Sequence, residues 1–380
     1  MMMENIAISS AVRSAVTKSF KGSFSTMRPD DLGALVLQKL IKKTNISTDN
    51  IEDIIVGCAM PEAEQGMNLA RIISLRANLP YKTSAATINR FCASGLHAAA
   101  DIAKSIATKQ INCGVAMGVE SMSYVPMGGH KPSPNPYLME HNPYAYTTMG
   151  ITAENVALKF GIDRKKQDEF ALESHNKACI AIKNKLFQEI VSITNDQNLN
   201  IDTDEGPRAD TNLEALSSLR PVFKLNGSVT AGNSSQVSDG AAAILLSDKN
   251  FAQEHNLSIQ GYFRAFTSVG VDPSIMGVGP IDAIQKLLKM TNLSLKDIGV
   301  FEINEAFASQ AIHCIETLGI DYKKVNPYGG AIALGHPLGC TGARQIATIL
   351  NYMRQKSIRY GVCSMCVGGG MGAAGLIEIA

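Results

Sequence analysis

Two stretches of this chain repeat one another far apart in the sequence, which constrains it to fold as two similar units. Residues 38–47 (QKLIKKTNIS) align with residues 285–294 (QKLLKMTNLS), differing by two Ile/Leu exchanges and one Lys/Met exchange. At nearly the same offset, residues 92–106 align with residues 336–350. Gly95 then falls on Gly339, Ala99 on Ala343, and Ile102-Ala103 on Ile346-Ala347. The two pairs keep their order along the chain, so duplication explains them better than chance. Each half is expected to carry a strand leading into a helix whose start holds a reactive residue. Pseudo-two-fold packing then brings both helix starts to one central site.

Around the repeats, strand-like and helix-like segments alternate, the pattern of an α/β protein. Helices are expected over 30–43, from Cys92 through Ile106, over 152–160 and over 166–186, and strands over 6–12, 51–57 and 115–119. Residues 121–146 are rich in Pro, Gly, Met, Tyr and His and read as loop; residues 195–217 are polar and turn-rich. The expected division is an N-terminal half of 1–118 with 237–259, a C-terminal half of 260–380, and an inserted loop domain of 119–236 that covers the site.

The bulk numbers exclude several classes. Of 380 residues, 45% are hydrophobic and 18% charged, the balance of a folded protein rather than a disordered one. Lys and Arg number 35 against 34 Asp and Glu, so net charge gives no reason to expect nucleic acid or an anionic membrane. No apolar run is long enough to span a bilayer, and the first residues lack a secretory core. Arg13, Lys18 and Lys21 raise the thought of a transit peptide, but the apolar run beside them reads better as a first strand. The C-terminal Ile-Glu-Ile-Ala is no peroxisomal address. The 8 cysteines are scattered and form no disulfide framework, so free thiols in the cytoplasm are expected.

Four segments carry chemistry. In Asn89-Arg90-Phe91-Cys92-Ala93-Ser94-Gly95 an apolar strand gives way to a small-residue helix. A thiol at a helix start feels the positive end of the dipole, which favours thiolate, although a buried core cysteine is the plainer alternative. In Leu334-Gly335-His336-Pro337-Leu338-Gly339 a single imidazole is presented by tight backbone, placed to take a proton from a thiol; its alternative is a His satisfied by backbone. In Cys363-Ser364-Met365-Cys366-Val367-Gly368-Gly369-Gly370 the glycines let amides converge on one oxygen. The Cys-x-x-Cys spacing also admits a redox pair or half a zinc site, but no second such pair and no His-x-x-x-His accompany it. In Phe301-Glu302-Ile303-Asn304-Glu305-Ala306-Phe307 an apolar strand delivers an Asn-Glu pair, with Asn304 as a simple helix cap the alternative.

Taken together these segments resemble the thiolase family nearly end to end. The likeness includes Arg28 to Ala34, Gly118-Val119-Glu120-Ser121-Met122-Ser123, Thr152-Ala153-Glu154-Asn155, Thr230-Ala231-Gly232-Asn233 and Gly277 to Pro280. The resemblance implies the thiolase fold, two duplicated mixed-sheet α/β halves in a layered αβαβα arrangement plus an inserted loop domain. It implies thiolytic cleavage of a 3-ketoacyl-CoA by coenzyme A in fatty acid β-oxidation, with coenzyme A as co-substrate, no permanent cofactor and no metal. Cys92 is then the nucleophile, His336 its base and Cys366 the acid that protonates the departing enolate. The amides of Cys92 and Gly368 form one oxyanion hole; His336 and a water held by Asn304 form the other.

For coenzyme A the resemblance implies contacts from Arg208, Phe223, Ala231, Ser235, Met149 and Phe307, with ordinary core the alternative for the two phenylalanines. Thr148-Met149-Gly150 stands where many acetoacetyl-CoA thiolases have His-Met-Gly, which tilts the reading toward the degradative acyltransferases. The alternatives are an acetyl-CoA acetyltransferase and a catalytically silent lipid-binding relative. A homodimer or homotetramer is expected, and association with other β-oxidation enzymes is open.

Overall fold

The computed structural model describes residues 2–379. The first half runs β1 (Ile6–Arg13), α1 (Pro29–Thr44), β2 (Asp53–Gly57), α2 (Leu69–Arg76), β3 (Ser84–Ile88), α3 (Ser94–Ala107) and β4 (Cys113–Ser121). An inserted stretch carries α4 (Met149–Phe160) and α5 (Arg164–Lys183), after which β5 (Ser238–Asp248) returns to the first half. The second half runs β6 (Gly261–Gly270), α6 (Gly279–Thr291), β7 (Val300–Ile303), α7 (Ala308–Leu318), α8 (Leu338–Lys356), β8 (Tyr360–Val367) and β9 (Met371–Glu378).

One sheet holds both halves, and its order is nearly palindromic. Outward from the middle one side reads β1, β5, β4, β2, β3 and the other β6, β9, β8, β7, where Val325 bridges Phe301 in place of a fifth strand. Strand directions match as well: β2 is parallel to β3 and β4 as β7 is to β8, and the inner pairs are antiparallel on both sides. The halves meet where β1 and β6 pair antiparallel, Ala7 with Tyr262 and Ile8 with Gly261.

The repeated decapeptides end equivalent helices. α1 and α6 each begin with Pro in the first turn, carry Asp early and Lys late, and stop on an Asn in the left-handed region, Asn45 at φ 53 and Asn292 at φ 54. Just before each stop a Thr hydroxyl bonds back to the preceding turn, Thr44 to Leu40 and Thr291 to Leu287.

Strand alternation sets the layers. Ile54 and Val56 of β2 pack with α1 and α2, whereas Ile55 faces a central core shared with α3 and α8. In the other half Phe301 and Val362 pack with α6 and α7, while Val300 and Cys363 face the centre. Each half of the sheet is thus a layer of its own, giving helix, half-sheet, helix, half-sheet, helix, with α3 and α8 in the middle. These two helices cross backbone to backbone: a Cβ on Gly95 would lie 2.7 Å from the Gly339 oxygen, and one on Gly342 would lie 2.3 Å from the Leu96 nitrogen.

Several expectations are corrected. Cys92 lies in a 3-10 turn, Phe91–Ala93, ahead of α3 rather than inside it. The proline after His336, which suits a first helical turn by its fixed φ, instead stands one residue ahead of α8. The stretch read as plain loop folds into short helices at Pro136–His141 and Pro143–Tyr146, because Pro presets the first turn and Asn135 caps the Leu138 amide. Arg13 ends β1, where it is wholly buried and holds Glu189 at 3.2 Å and Asp204 at 2.7 Å, tying the inserted stretch to that strand. Breaking such a buried pair from one side costs about 3–5 kcal/mol.

Candidate active site

The turn carrying Cys92 is a sharp one. Phe91 takes φ 43, a left-handed conformation unusual for a bulky residue, and Ser94 braces it by accepting from the Arg90 amide and donating to the Phe91 oxygen. The helix-start expectation for Cys92 holds only in part. The Gly368 amide and its own amide favour thiolate, but burial outweighs them and pushes the thiol up to about 12. Cys92 therefore rests as a thiol.

His336 follows Gly335, which sits at φ 96; a side chain there would meet Ser238 Oγ at 2.3 Å. Its ring is oriented through Nδ1, 2.6 Å from Thr341 Oγ1. The Thr341 hydroxyl spends its hydrogen on the Pro337 oxygen, so Nδ1 carries the ring proton and Nε2 the free lone pair. Asn304 Nδ2 lies 3.3 Å from Nε2, while Asn304 Oδ1 is buried without a partner. Asn304 follows β7 directly and lies ahead of α7, whose cap position is Phe307, so it caps no helix. Burial first, and the Arg344 charge second, pull His336 down to about 3, leaving a neutral imidazole able to accept a proton.

Cys366 is fully buried among Ala153, Met276, Ala306 and Phe307. Burial pushes its thiol well above the ordinary value, and the neighbouring Cys92 adds to this. Cys363 lies three residues earlier on β8 and faces the opposite core, so strand alternation rules out a Cys363–Cys366 redox pair.

The distant stretches thus converge. Gly368 donates to Cys92, Cys92 and Cys366 share one electrostatic environment, and Asn304 touches His336. Leu338, two residues past His336, packs against Cys92. Among the described residues no hydrogen bond joins the Cys92 thiol to the imidazole. Free active sites often hold such contacts long until substrate arrives.

The six residues implied for coenzyme A fall into two groups. Met149 lies over Gly368, Phe223 packs on Gly150, and Phe223 meets Phe307 edge-on at 6.0 Å, a line leading from the surface toward Cys366. Ser235 borders it, its amide donating to the Ala306 oxygen. Arg208 and Ala231 instead line a cavity of about 230 Å³ together with His175 and Gln236. A larger cavity of about 440 Å³ between α5 and α7 is lined by none of these six.

Sequence reasoning missed three participants. Glu120, buried on β4, accepts from the amides of Ala59, Met60 and Gly339 and from Gln65 Nε2, joining the Cys92 side to the start of α8. Its signal was a carboxylate inside an apolar strand. Gln236 receives the His336 amide on its backbone oxygen and donates from Nε2 to the Ala333 oxygen. His175 accepts the Arg208 amide, and burial holds it neutral by pulling it down to about 4. These act through partners remote in sequence, so no local motif marks them.

The family model for the thiolase N-terminal domain matches residues 6–250, and that for the thiolase C-terminal domain matches residues 257–379. A curated relative, 3-ketoacyl-CoA thiolase of Bacillus subtilis, is 47% identical over 99% of this chain and 100% of its own. The solved dimeric peroxisomal thiolase of Saccharomyces cerevisiae superposes with a TM-score of 0.92 at 45% identity, covering 99% of this chain and 98% of that one. Human mitochondrial 3-ketoacyl-CoA thiolase in complex with CoA superposes with a TM-score of 0.93 at 34% identity, over 100% and 99% of the two chains.

Proposed function

This chain belongs to the thiolase family, and from that premise we propose that it is an acetyl-CoA C-acyltransferase of fatty acid β-oxidation. It cleaves 3-ketoacyl-CoA with coenzyme A, releasing acetyl-CoA and an acyl-CoA two carbons shorter. The observation that carries the reading is the meeting of two thiols of different character, Cys92 under the Gly368 amide and Cys366 enclosed beside it.

His336 takes the Cys92 proton at Nε2, and the sulfur attacks the 3-keto carbon. The oxyanion that forms on C3 is met by the amides of Cys92 and Gly368, while the thioester oxygen of the departing acetyl unit faces the protonated Nε2 and a water donating to Asn304 Oδ1, a role suited to that buried, partnerless oxygen. Collapse restores the carbonyl and breaks the bond between C2 and C3. The carbanion at C2 takes the Cys366 proton and departs as acetyl-CoA. The amides of Cys92 and Gly368 then hold the oxygen of the acyl thioester. Coenzyme A gives its proton to the Cys366 thiolate and attacks, freeing the shortened acyl-CoA, and the His336 imidazolium returns its proton to the Cys92 sulfur as that sulfur leaves. Splitting one hard step into two through a covalent thioester is the gain.

Phe223, Phe307, Met149 and Ser235 are assigned to the pantetheine and adenine path, and Arg208 with Ala231 to the outer cavity. Residues 119–236 are read as the segment covering the site. A homodimer in a reducing compartment, the cytoplasm, fits the eight free thiols and the dimeric solved relative. Among the described residues no helix is long and apolar enough to cross a membrane.

The test is thiolysis across a ladder of 3-ketoacyl-CoA lengths, with the acyl label mapped by mass spectrometry. Turnover of 3-ketodecanoyl-CoA with label on Cys92, and loss of both in Cys92→Ser, is expected. A strong preference for acetoacetyl-CoA would make the enzyme an acetyltransferase, and a folded, substrate-binding protein without label would be a silent relative.

A further inference from the structure

Gln310 belongs to α7 and reaches back toward β8. Its Oε1 accepts the amides of Ala306 at 3.1 Å and Phe307 at 3.5 Å, and it lies 3.8 Å from the Cys366 sulfur, which donates to it. Two amide hydrogens on one oxygen settle which way the side-chain amide faces, since the reversed amide would set N–H against N–H. The side chain is buried, and its Nε2 has no partner of hydrogen-bond geometry. That nitrogen lies toward Cys314, whose own S–H is committed to the Gly277 oxygen at 3.4 Å.

We propose that Gln310 is a positioning residue for the proton of Cys366: its carbonyl oxygen, locked in direction by two backbone amides, holds that sulfur as a thiol and sets the direction of its S–H. The proposal rests on the thiolase reading and deepens it. An acceptor beside a thiol favours the protonated form, and donors favour the thiolate. Cys92 is met by two amides, of Gly368 and its own, and Cys366 by its own amide and the Gln310 carbonyl, so one site holds a sulfur prepared to lose its proton to a base beside a sulfur prepared to keep its own until a carbanion forms. In that step the Cys366 S–H bond breaks, the carbanion electron pair forms the new C–H bond at C2, and a thiolate remains facing Gln310 Oε1. The resulting repulsion favours prompt reprotonation by the incoming coenzyme A thiol. The titratable groups around the pair are Cys92 and Cys314, with Asp282 acting on Cys314.

The plainer role for Gln310 is to cap α7, and Glu caps a helix at this position as well as Gln does. Gln310→Glu therefore preserves the cap while replacing a neutral acceptor with an ionisable one. Two half-reactions are read in the wild type, Gln310→Glu and Gln310→Met: acylation of Cys92 by a simple acyl-CoA, and exchange of the acetyl C2 hydrogens of acetyl-CoA with deuterium on the acylated enzyme. Exchange is expected to fall by about tenfold or more in both variants at pH 8, with acylation within about twofold, a loss on the scale of impaired general acid–base catalysis. In Gln310→Glu, exchange recovers as the pH is lowered and the new carboxyl takes up a proton. Wild-type exchange in Gln310→Glu at every pH, or an equal fall in both half-reactions, overturns the proposal. A wild type that neither acylates nor cleaves overturns the thiolase reading instead.

Discussion

At the scale of single residues, the site works by setting protons before substrate arrives. Cys92 is pushed up to about 12 and His336 pulled down to about 3, both chiefly by burial, so across neutral pH the pair is a thiol and a neutral imidazole. The sign of the pH dependence follows. The thiolate fraction of Cys92 grows as pH rises toward its raised value, and His336 supplies no inflection above about pH 4. Alkylation of Cys92 by iodoacetamide in the free protein is therefore expected to rise about tenfold per pH unit between pH 7 and 9, without levelling. Peptide mass spectrometry measures it, and a plateau in that range would show a resting thiolate–imidazolium pair. Cys92, His336, Asn304 and Cys366 were legible in the sequence because each stands in an unusual local setting of glycines or at a strand end. Glu120 and Gln310 were not, because their partners, Gly339 and Cys366, are brought to them only by the fold. The direction of the Cys92 shift was misread for the same reason: a helix start is visible in sequence, whereas full enclosure is not.

At the scale of elements, α3 and α8 position the site, since Cys92 and His336 stand just ahead of them and their backbones touch. Gly339 is held by Glu120 through its amide, and a Cβ there would lie 2.7 Å from Cys58 Cα and 2.8 Å from the Gly57 oxygen, both backbone atoms that cannot swing aside. Gly339→Ala is expected to lower stability by about 1–3 kcal/mol through overpacking. It also separates the two helix starts, so kcat falls more than the stability loss explains. Urea unfolding and thiolysis rates on the same preparation check this, and a variant of wild-type stability and rate would show that the contact has slack. The pairing of Gly95 with Gly339 was legible from the internal repeat, which set equivalent residues in register before any contact was known. Helix starts were less so: α4 and α5 begin at Met149 and Arg164, because caps such as Asp163, rather than the apolar pattern alone, decide where a helix opens.

At the scale of the whole molecule, the palindromic sheet has unlike ends. β7 is buried along its length, but β3 is half exposed and has β2 as its single strand neighbour. Ser84 donates inward to the Glu52 oxygen and Ile88 accepts from the Cys58 amide, so the backbone groups of Ala85 and Thr87 point outward. The Ala85 oxygen takes Asn68 Nδ2 at 3.0 Å, so the edge is covered only in part, and Met67 is 91% exposed and Tyr81 86% exposed beside it, a rim of the kind that proteins otherwise blunt or pair. A two-fold axis there would let β3 of one copy pair antiparallel with β3 of another, extending the sheet and burying the Met67 and Tyr81 rims of both copies in one isologous contact. Ala85→Pro removes an outward amide and leaves the inward ladder intact. It is expected to weaken dimerisation by about tenfold or more with little change in melting temperature of the isolated subunit. Sedimentation equilibrium across a concentration series measures the shift. A dimer of unchanged strength in Ala85→Pro would place the subunit contact on some other face.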